Sequence, residues 1–399
     1  MVIYMNKTQL IQLLKETDTP SYVFSVDEFE QRARLVKKYF GEKTGLCFSI
    51  KANPFLLGCL PEVFDKIEVC SPGELTVCEK TGADPATIIF SGVNKTPGDV
   101  ERAMDDKVGT FTAESWLHAE LINNSAVKRG IKVPVLVRVT GGSQFGMDEK
   151  DAIDLISHRD EYEGIEIVGL HFFTGTQKRK PAAIEKELDF ISAFADRVKE
   201  ETGLEIKRIE YGTGLAVDYF KADADSSEEE RLAAISDKVR AVAEKYELTV
   251  EMGRFFATPC GYYFTKVMDV KTNAGINYAI VDGGMNHLKY DGQIQGMQIP
   301  VIEHIKSDEC KESKTEKWTL CGSLCTTNDI LARDAEFDSL EIGDVLVFCR
   351  TGAYSSMEGM AVFLSRELPS IWMYSEKDGL KLVRKLLRAD VFNTPYEIV

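Results

Sequence analysis

Eight times between Leu46 and Glu251 a short apolar run gives way to a stretch with helical spacing, and no other feature restricts the fold so far. The runs are Leu46–Ile50, Lys66–Cys70, Thr87–Phe90, Gly109–Thr112, Val133–Val139, Ile165–His171, Arg208–Tyr211 and Leu248–Glu251. Between them lie amphipathic segments such as Pro97–Asp105, Ala113–Asn123, Glu149–His158 and Ile184–Thr202. Strands separated by helices pair in parallel, because a helix is the crossover that a parallel pair requires. Eight repeats over about two hundred residues predict an α/β fold, a closed (β/α)8 barrel of the TIM type, rather than an open doubly wound sheet.

After Arg254 the rhythm stops. Tyr262–Asn273, Tyr278–Asp282, Lys317–Cys321, Asp344–Cys349 and Ile371–Tyr374 read as strands joined by turns. The expected division is a barrel over 26–255 and a β-rich domain, itself a β-barrel or sandwich, from 256–399 with 1–25. At 399 residues the chain exceeds what one core usually sustains, which agrees with two domains.

Charge and cysteine usage narrow the function. A formal charge of −16 and a sequence pI near 5.0 count against nucleic acid or an anionic membrane as partner. Nine cysteines, an odd number without paired metal-ligand spacing, and no secretory leader lead us to expect reduced thiols, no metal site and a cytoplasmic protein. No apolar run approaches the roughly 20 residues of a membrane span.

In barrels of this kind function gathers at the C-terminal ends of the strands. Those ends carry Lys51, then Glu68 followed by Ser71 and Glu74, then Arg138, then His171 with Phe173 and Thr176. The seventh ends in Gly212-Thr213-Gly214 and the eighth in Glu251 with Gly253-Arg254. A lysine at the end of a buried strand has its stem among apolar neighbours, which favours the neutral amine that attacks a carbonyl. Glycines after the seventh strand let backbone N–H groups approach an anion, and Arg254 after the eighth adds a charged clamp where such barrels hold phosphate. A lysine and a phosphate cradle on one rim point to a phosphorylated aldehyde, pyridoxal 5'-phosphate. Glu251 then faces the ring nitrogen and keeps it protonated.

At these residues the chain resembles the fold-type III pyridoxal-phosphate decarboxylases, the group of diaminopimelate, ornithine and arginine decarboxylases. Phe48-Ser49-Ile50-Lys51-Ala52-Asn53 is similar to that family's Y-A-x-K-A-N, and Glu68-Val69-Cys70-Ser71-Pro72-Gly73-Glu74-Leu75 to its D-V-x-S-x-x-E-L. Gly212-Thr213-Gly214 resembles its G-G-G loop, and Glu251-Met252-Gly253-Arg254 its E-P-G-R. Further on, Asp282-Gly283-Gly284-Met285-Asn286 resembles D-A-G-M-N, Cys325-Thr326-Thr327-Asn328-Asp329 aligns with C-E-S-G-D, and Gly352-Ala353-Tyr354 matches G-A-Y. The resemblance covers nearly the whole chain. It implies a decarboxylase in which Lys51 forms the Schiff base, Glu251 maintains the electron sink, and Cys325 returns a proton to the reacting carbon. It also implies cofactor contacts from Glu68, Arg138, Phe173, Thr176, Gly212, Thr213, Gly214, Gly253, Arg254 and Tyr354. Thr326 and Asp329 would line the substrate end, and two copies would share their sites in a homodimer.

Departures from the pattern bear on the substrate. The family's acidic residue after the cysteine, which holds a distal ammonium, is replaced by Thr326. A desolvated ammonium needs an acidic partner, so lysine-, ornithine- and diaminopimelate-like substrates lose support. Phe173 stands where a histidine stacks on the cofactor, and Gln144 replaces a lysine. Leu324-Cys325-Thr326 is similar to a branch working in siderophore and aminoglycoside biosynthesis, where the amino acid is part of a conjugate, such as a carrier-bound unit. The expectation is a decarboxylase acting on an amino acid or conjugate without a free distal ammonium. The alternatives are diaminopimelate decarboxylase proper, an amino-acid racemase on the same barrel, and a cofactor-carrying barrel without activity.

Overall fold

The computed structural model of the chain describes residues 4–221, 227–308 and 314–396. They divide into two compact units, one of Ala33–Val217 with Ser226–Phe256, the other of Met1–Arg32, Asp218–Asp225 and Ala257–Val399. A helix α1 (Lys7–Leu14), a strand β1 (Ser21–Ser25) and a helix α2 (Val26–Phe40) open the chain.

In the first unit eight parallel strands close into a barrel in sequence order. They are β2 (Gly45–Ser49), β3 (Lys66–Val69), β4 (Ile88–Phe90), β5 (Thr110–Ala113), β6 (Val133–Val139), β7 (Ile165–Phe173), β8 (Arg208–Gly212) and β9 (Glu247–Met252). Cys47, Ile89 and Leu136 pack together with Val168. These residues come from β2, β4, β6 and β7, strands that mostly do not adjoin, so they meet inside the cylinder and form an apolar floor.

Helices α3 (Pro72–Thr81), α4 (Pro97–Asp105), α5 (Trp116–Arg129), α6 (Glu149–Ser157), α7 (Pro181–Thr202) and α8 (Glu228–Ala243) make the crossovers. Their starts are written in the sequence. Ser71 accepts from Glu74 N ahead of Pro72, Thr96 and Asp99 form a capping box ahead of Pro97, and Ser227 and Glu230 form another. Each such cap contributes about 1 kcal/mol and sets where the strand-end loop stops. The connection from β5 to β6 differs from expectation. Ala113 belongs to β5, Ser115 caps α5, and the helix runs past the Asn123-Asn124 pair to Arg129 because Ile122 and Ala126 carry its buried face onward.

In the second unit β1 is a central strand, antiparallel to β10 (Gly261–Asn273) and parallel to the strand Ser370–Ser375. Leu10 and Leu13 of α1 pack with Val23, Tyr262, Phe264, Ile305, Val345 and Val347 to form its core. The remaining strands are β11 (Ile276–Val281), β12 (Ile302–Ile305), β13 (Thr315–Cys321), β14 (Ile330–Asp338), β15 (Val345–Cys349), β16 (Ser370–Ser375) and β17 (Gly379–Arg384). Their order is β14-β13-β11-β10-β1-β16-β17, with β15 paired to β10 and β12.

Three of these strands escape the sequence pattern. β12 has four residues, and β14 and β17 are each held by one neighbour and turn charged residues such as Arg333, Glu336 and Lys381 outward. The eight described cysteines are free thiols, and Cys310 lies outside the described residues. Among the described residues no helix is long and apolar enough to cross a membrane.

Candidate active site

Lys51 lies in a 3-10 turn, Ile50–Ala52, directly after β2. Register sets its company. Ser49 is paired with Glu68 across β2 and β3, and Cys47 with Glu251 across β2 and β9. The ammonium of Lys51 donates to Glu68 at 2.7 and 3.0 Å, stands 3.8 Å from Glu251 Oε1, and is 3.6 Å from Cys70 Sγ. The apolar sleeve expected around this lysine is therefore replaced by two buried carboxylates and a thiol. The Cys70 thiol also donates to Glu68 Oε1 at 3.0 Å, and burial followed by the charge of Glu68 pushes its pKa up.

Glu251 is the most constrained carboxylate on the rim. Its Oε1 accepts from Ser49 Oγ at 3.1 Å and its Oε2 lies 3.1 Å from His171 Nε2. Burial works to raise its pKa, but the His171 hydrogen bond and the charge of Lys51 outweigh it and hold the carboxyl well below the usual range. Deeper in the barrel, Glu210 goes the other way. Burial, then the charges of Glu251 and Glu68, push it well above a normal carboxyl. Of these two neighbours, Glu251 carries the negative charge and Glu210 keeps its proton.

Across the rim Arg138 donates from Nη1 to Glu114 Oε1 at 2.9 Å and lies over the Phe145 ring, 4.9 Å from its centre. Its Nε is buried without a protein partner. Lys95, 4% exposed, donates to Gly92 O at 2.6 Å, and burial lowers it to about 8. His118, lowered to about 4 by burial and then by Lys95, accepts from Glu114 N at 3.3 Å. Glu114, Lys95 and Glu210 are site residues that the reading of strand ends passed over. The same rule reaches the first two, since Glu114 follows β5 directly and Lys95 sits in the loop after β4.

The glycine loop forms where expected, at the end of β8. Gly214 has φ +59°, and a Cβ there would lie 1.9 Å from Gly175 O, so only glycine lets the loops after β7 and β8 close on each other. Gly253 is crowded too, though less so, with a Cβ meeting Ala52 at 2.7 Å and Ser49 O at 2.9 Å. Arg254 Nε donates to Thr176 Oγ1 at 3.1 Å, which brings the clamp and the expected hydroxyl together. Thr213 is a partial correction: its side chain is buried and its hydroxyl accepts from Leu215 N, so it serves the turn. The half-buried Phe173 packs its ring where a Gly212 Cβ would go, at 2.5 Å.

The second unit carries the remaining expected residues. Cys325 is exposed. Asp329 does not line an open end. It is 2% exposed, and its two oxygens accept from Met285 N at 2.7 Å and Leu324 N at 2.8 Å, tying Asp282–Asn286 to the segment of Cys325. Thr326 Oγ1 accepts from Asn328 N in the same turn. Tyr354 has φ +63°, a conformation that a tyrosine adopts only under constraint, and its carbonyl accepts from Met357 N and Glu358 N.

The rim fits pyridoxal phosphate. Lys51 supplies an amine for the aldehyde, Glu251 a buried anion for a ring nitrogen, and Gly212–Gly214 with Arg254 a cradle for the phosphate. Fold and site together define a barrel whose rim is equipped for a phosphorylated aldehyde cofactor. The chain belongs to the pyridoxal-dependent decarboxylases, since residues 26–258 match the family described as "Pyridoxal-dependent decarboxylase, pyridoxal binding domain". It is a pyridoxal-phosphate-dependent amino-acid decarboxylase.

Diaminopimelate decarboxylase of Aquifex aeolicus is 27% identical over 98% of this chain and 95% of that protein. The L-glutamyl-[BtrI acyl-carrier protein] decarboxylase of Niallia circulans is 25% identical over 97% and 95%. The crystal structure of diaminopimelate decarboxylase from M. jannaschii with L-lysine shares the fold, with a TM-score of 0.86 and 24% identity over 98% of this chain and 94% of that one.

Proposed function

We propose that the protein removes the α-carboxylate of an amino acid, or of an amino-acid unit within a conjugate, that lacks a free distal ammonium. One observation carries the substrate reading: Thr326, uncharged, stands after Cys325 where the family has an acid. The relative acting on carrier-bound glutamate supports it, because that substrate also offers no distal ammonium. The diaminopimelate decarboxylases among the relatives favour a second reading, diaminopimelate itself.

When bound, pyridoxal phosphate would supply the electron sink for loss of the α-carboxylate. Lys51 would hold it through its amine, which Glu68 keeps aimed. Glu251 would keep its ring nitrogen protonated, and Arg138 and Phe173 would bear on the ring. Gly212, Gly214, Gly253, Arg254 and Thr176 would grip the phosphate, with Thr213 shaping the turn; family likeness alone adds Tyr354. Cys325 donates a proton to the carbon left by the carboxylate, and Thr326 lines the far end of the substrate. By family likeness the segment of Cys325 completes the site of a second copy, and a solution mass of twice the chain is expected.

Carbon dioxide release from the holoenzyme tests the substrate. Glutamate and its thioester or amide conjugates should exceed meso-diaminopimelate at least tenfold in kcat/KM, about the worth of one unpaired buried charge. Preference for meso-diaminopimelate would establish the second reading instead.

A further inference from the structure

His171 is buried at 2% exposure, and its Nδ1 has no protein partner. An unsatisfied ring nitrogen in a core is a cost that a leucine of similar reach would not incur, so the imidazole is there for what Nε2 does. That nitrogen bonds Glu251 Oε2 at 3.1 Å. A carboxylate only accepts, so the histidine is the donor. Ser49 reaches Oε1 from β2, and His171 reaches Oε2 from β7, strands on opposite sides of β9. The cross-strand neighbour of Glu251 on β8 is Gly212, which leaves no side chain in the way. Held from both sides, the carboxylate cannot turn about its last bond without breaking a hydrogen bond.

We propose that His171 is a positioning residue for the decarboxylation, fixing the plane and the charge of Glu251 by donating from Nε2 without touching the substrate. The proposal rests on the reading that Glu251 meets the ring nitrogen. The other titratable groups facing Glu251 are Lys51 and Cys47 on the β2 side, Glu68 on β3, Arg138 on β6 and Glu210 on β8. Lys51 and Arg138 also favour the anion, while Glu210, which keeps its proton, leaves Glu251 the charged member of that pair. Among the described residues, His171 and Ser49 bond the carboxylate directly, each at 3.1 Å.

Two variants of the holoenzyme and one of the cofactor-free protein test this. In His171→Leu, kcat should fall about ten- to a hundredfold with KM little changed, the effect of losing one hydrogen bond to a charged group. The acid limb of the kcat/KM profile should move to higher pH, and so should the pH response of the visible absorbance of bound pyridoxal phosphate. His171→Gln, whose amide can donate, should recover part of both. In the cofactor-free protein, the Nε2–H resonance of His171 should be protected from exchange and should shift in Glu251→Gln, which holds even where the leucine variant fails to fold.

The proposal is overturned if the resonance ignores Glu251→Gln, if both His171 variants keep the wild-type acid limb, or if the glutamine variant is no better than leucine. Lys51→Ala separates the two claims. Retained visible absorbance in that variant would remove the underlying reading of the site, whereas its loss beside an unperturbed His171→Leu would remove the positioning role alone.

Discussion

Glu28 and Glu251 are both buried carboxylates, and their neighbours send them in opposite directions. Glu28 accepts from Tyr262 Oη at 2.8 Å and from Met5 N at 2.7 Å, both neutral donors. Burial outweighs them and raises its carboxyl from 4.5 to about 7. The fold then binds the proton more tightly than the unfolded chain does. Its stabilising contribution is complete below the ordinary carboxyl range and is lost as pH rises through about 7, on the order of 3 kcal/mol in all. Glu28→Gln, a neutral mimic of the protonated acid, should melt like wild type at pH 5 and several degrees higher at pH 8. Thermal unfolding at the two values checks this, and equal melting at pH 8 would show that the fold does not raise the Glu28 carboxyl above its ordinary range. Lys51 and Glu251 were legible in the sequence because they sit at strand ends inside motifs. Glu210 was not, because a lone acid in a strand reads as a solvated charge until the barrel closes around it, and Glu114, which follows β5 within reach of the strand-end rule, was passed over.

At the scale of elements, the loops after β7 and β8 act as one body. Lys178 N donates to Gly214 O at 2.8 Å, Ala216 N to Lys178 O at 3.1 Å, and Val217 N to Gln177 Oε1 at 2.9 Å. From α7, Glu187 accepts from Lys178 Nζ at 2.7 Å and from Tyr211 Oη at 2.6 Å. Gly214 and Gly130 separate conformation from crowding, since φ is +59° at one and +63° at the other but only Gly214 has a neighbour within reach of a Cβ. Alanine at either position meets a left-handed backbone cost of about 1 kcal/mol. Gly130→Ala should lower the melting temperature slightly and leave cofactor affinity intact. Gly214→Ala must also open the cradle, and cofactor affinity should fall at least tenfold, as read by absorbance titration; equal effects would refute the loop's role. The barrel strands were readable because each is apolar and followed by a helix. β14 and β17 were hidden because edge strands alternate charge with apolar residues, and β12 because four residues hold no period.

For the whole molecule, the alternation of strand and helix implies a barrel, and a barrel implies that strand ends carry the chemistry. That chain of inference puts Lys51, the Gly212–Gly214 loop and Glu251 at strand ends, where the barrel has them. It could not foresee that Lys51 would lie between Glu68 and Glu251, because barrel closure, and not sequence spacing, brings β2, β3 and β9 together. It also passed over Lys95, a buried lysine in the loop after β4, whose amine burial lowers to about 8 and which is the other lysine to set against Lys51. Borohydride reduction of the holoenzyme followed by peptide mass spectrometry decides between them. The pyridoxyl phosphate group should be found on Lys51 alone; a label on Lys95, or none on either, would contradict the account.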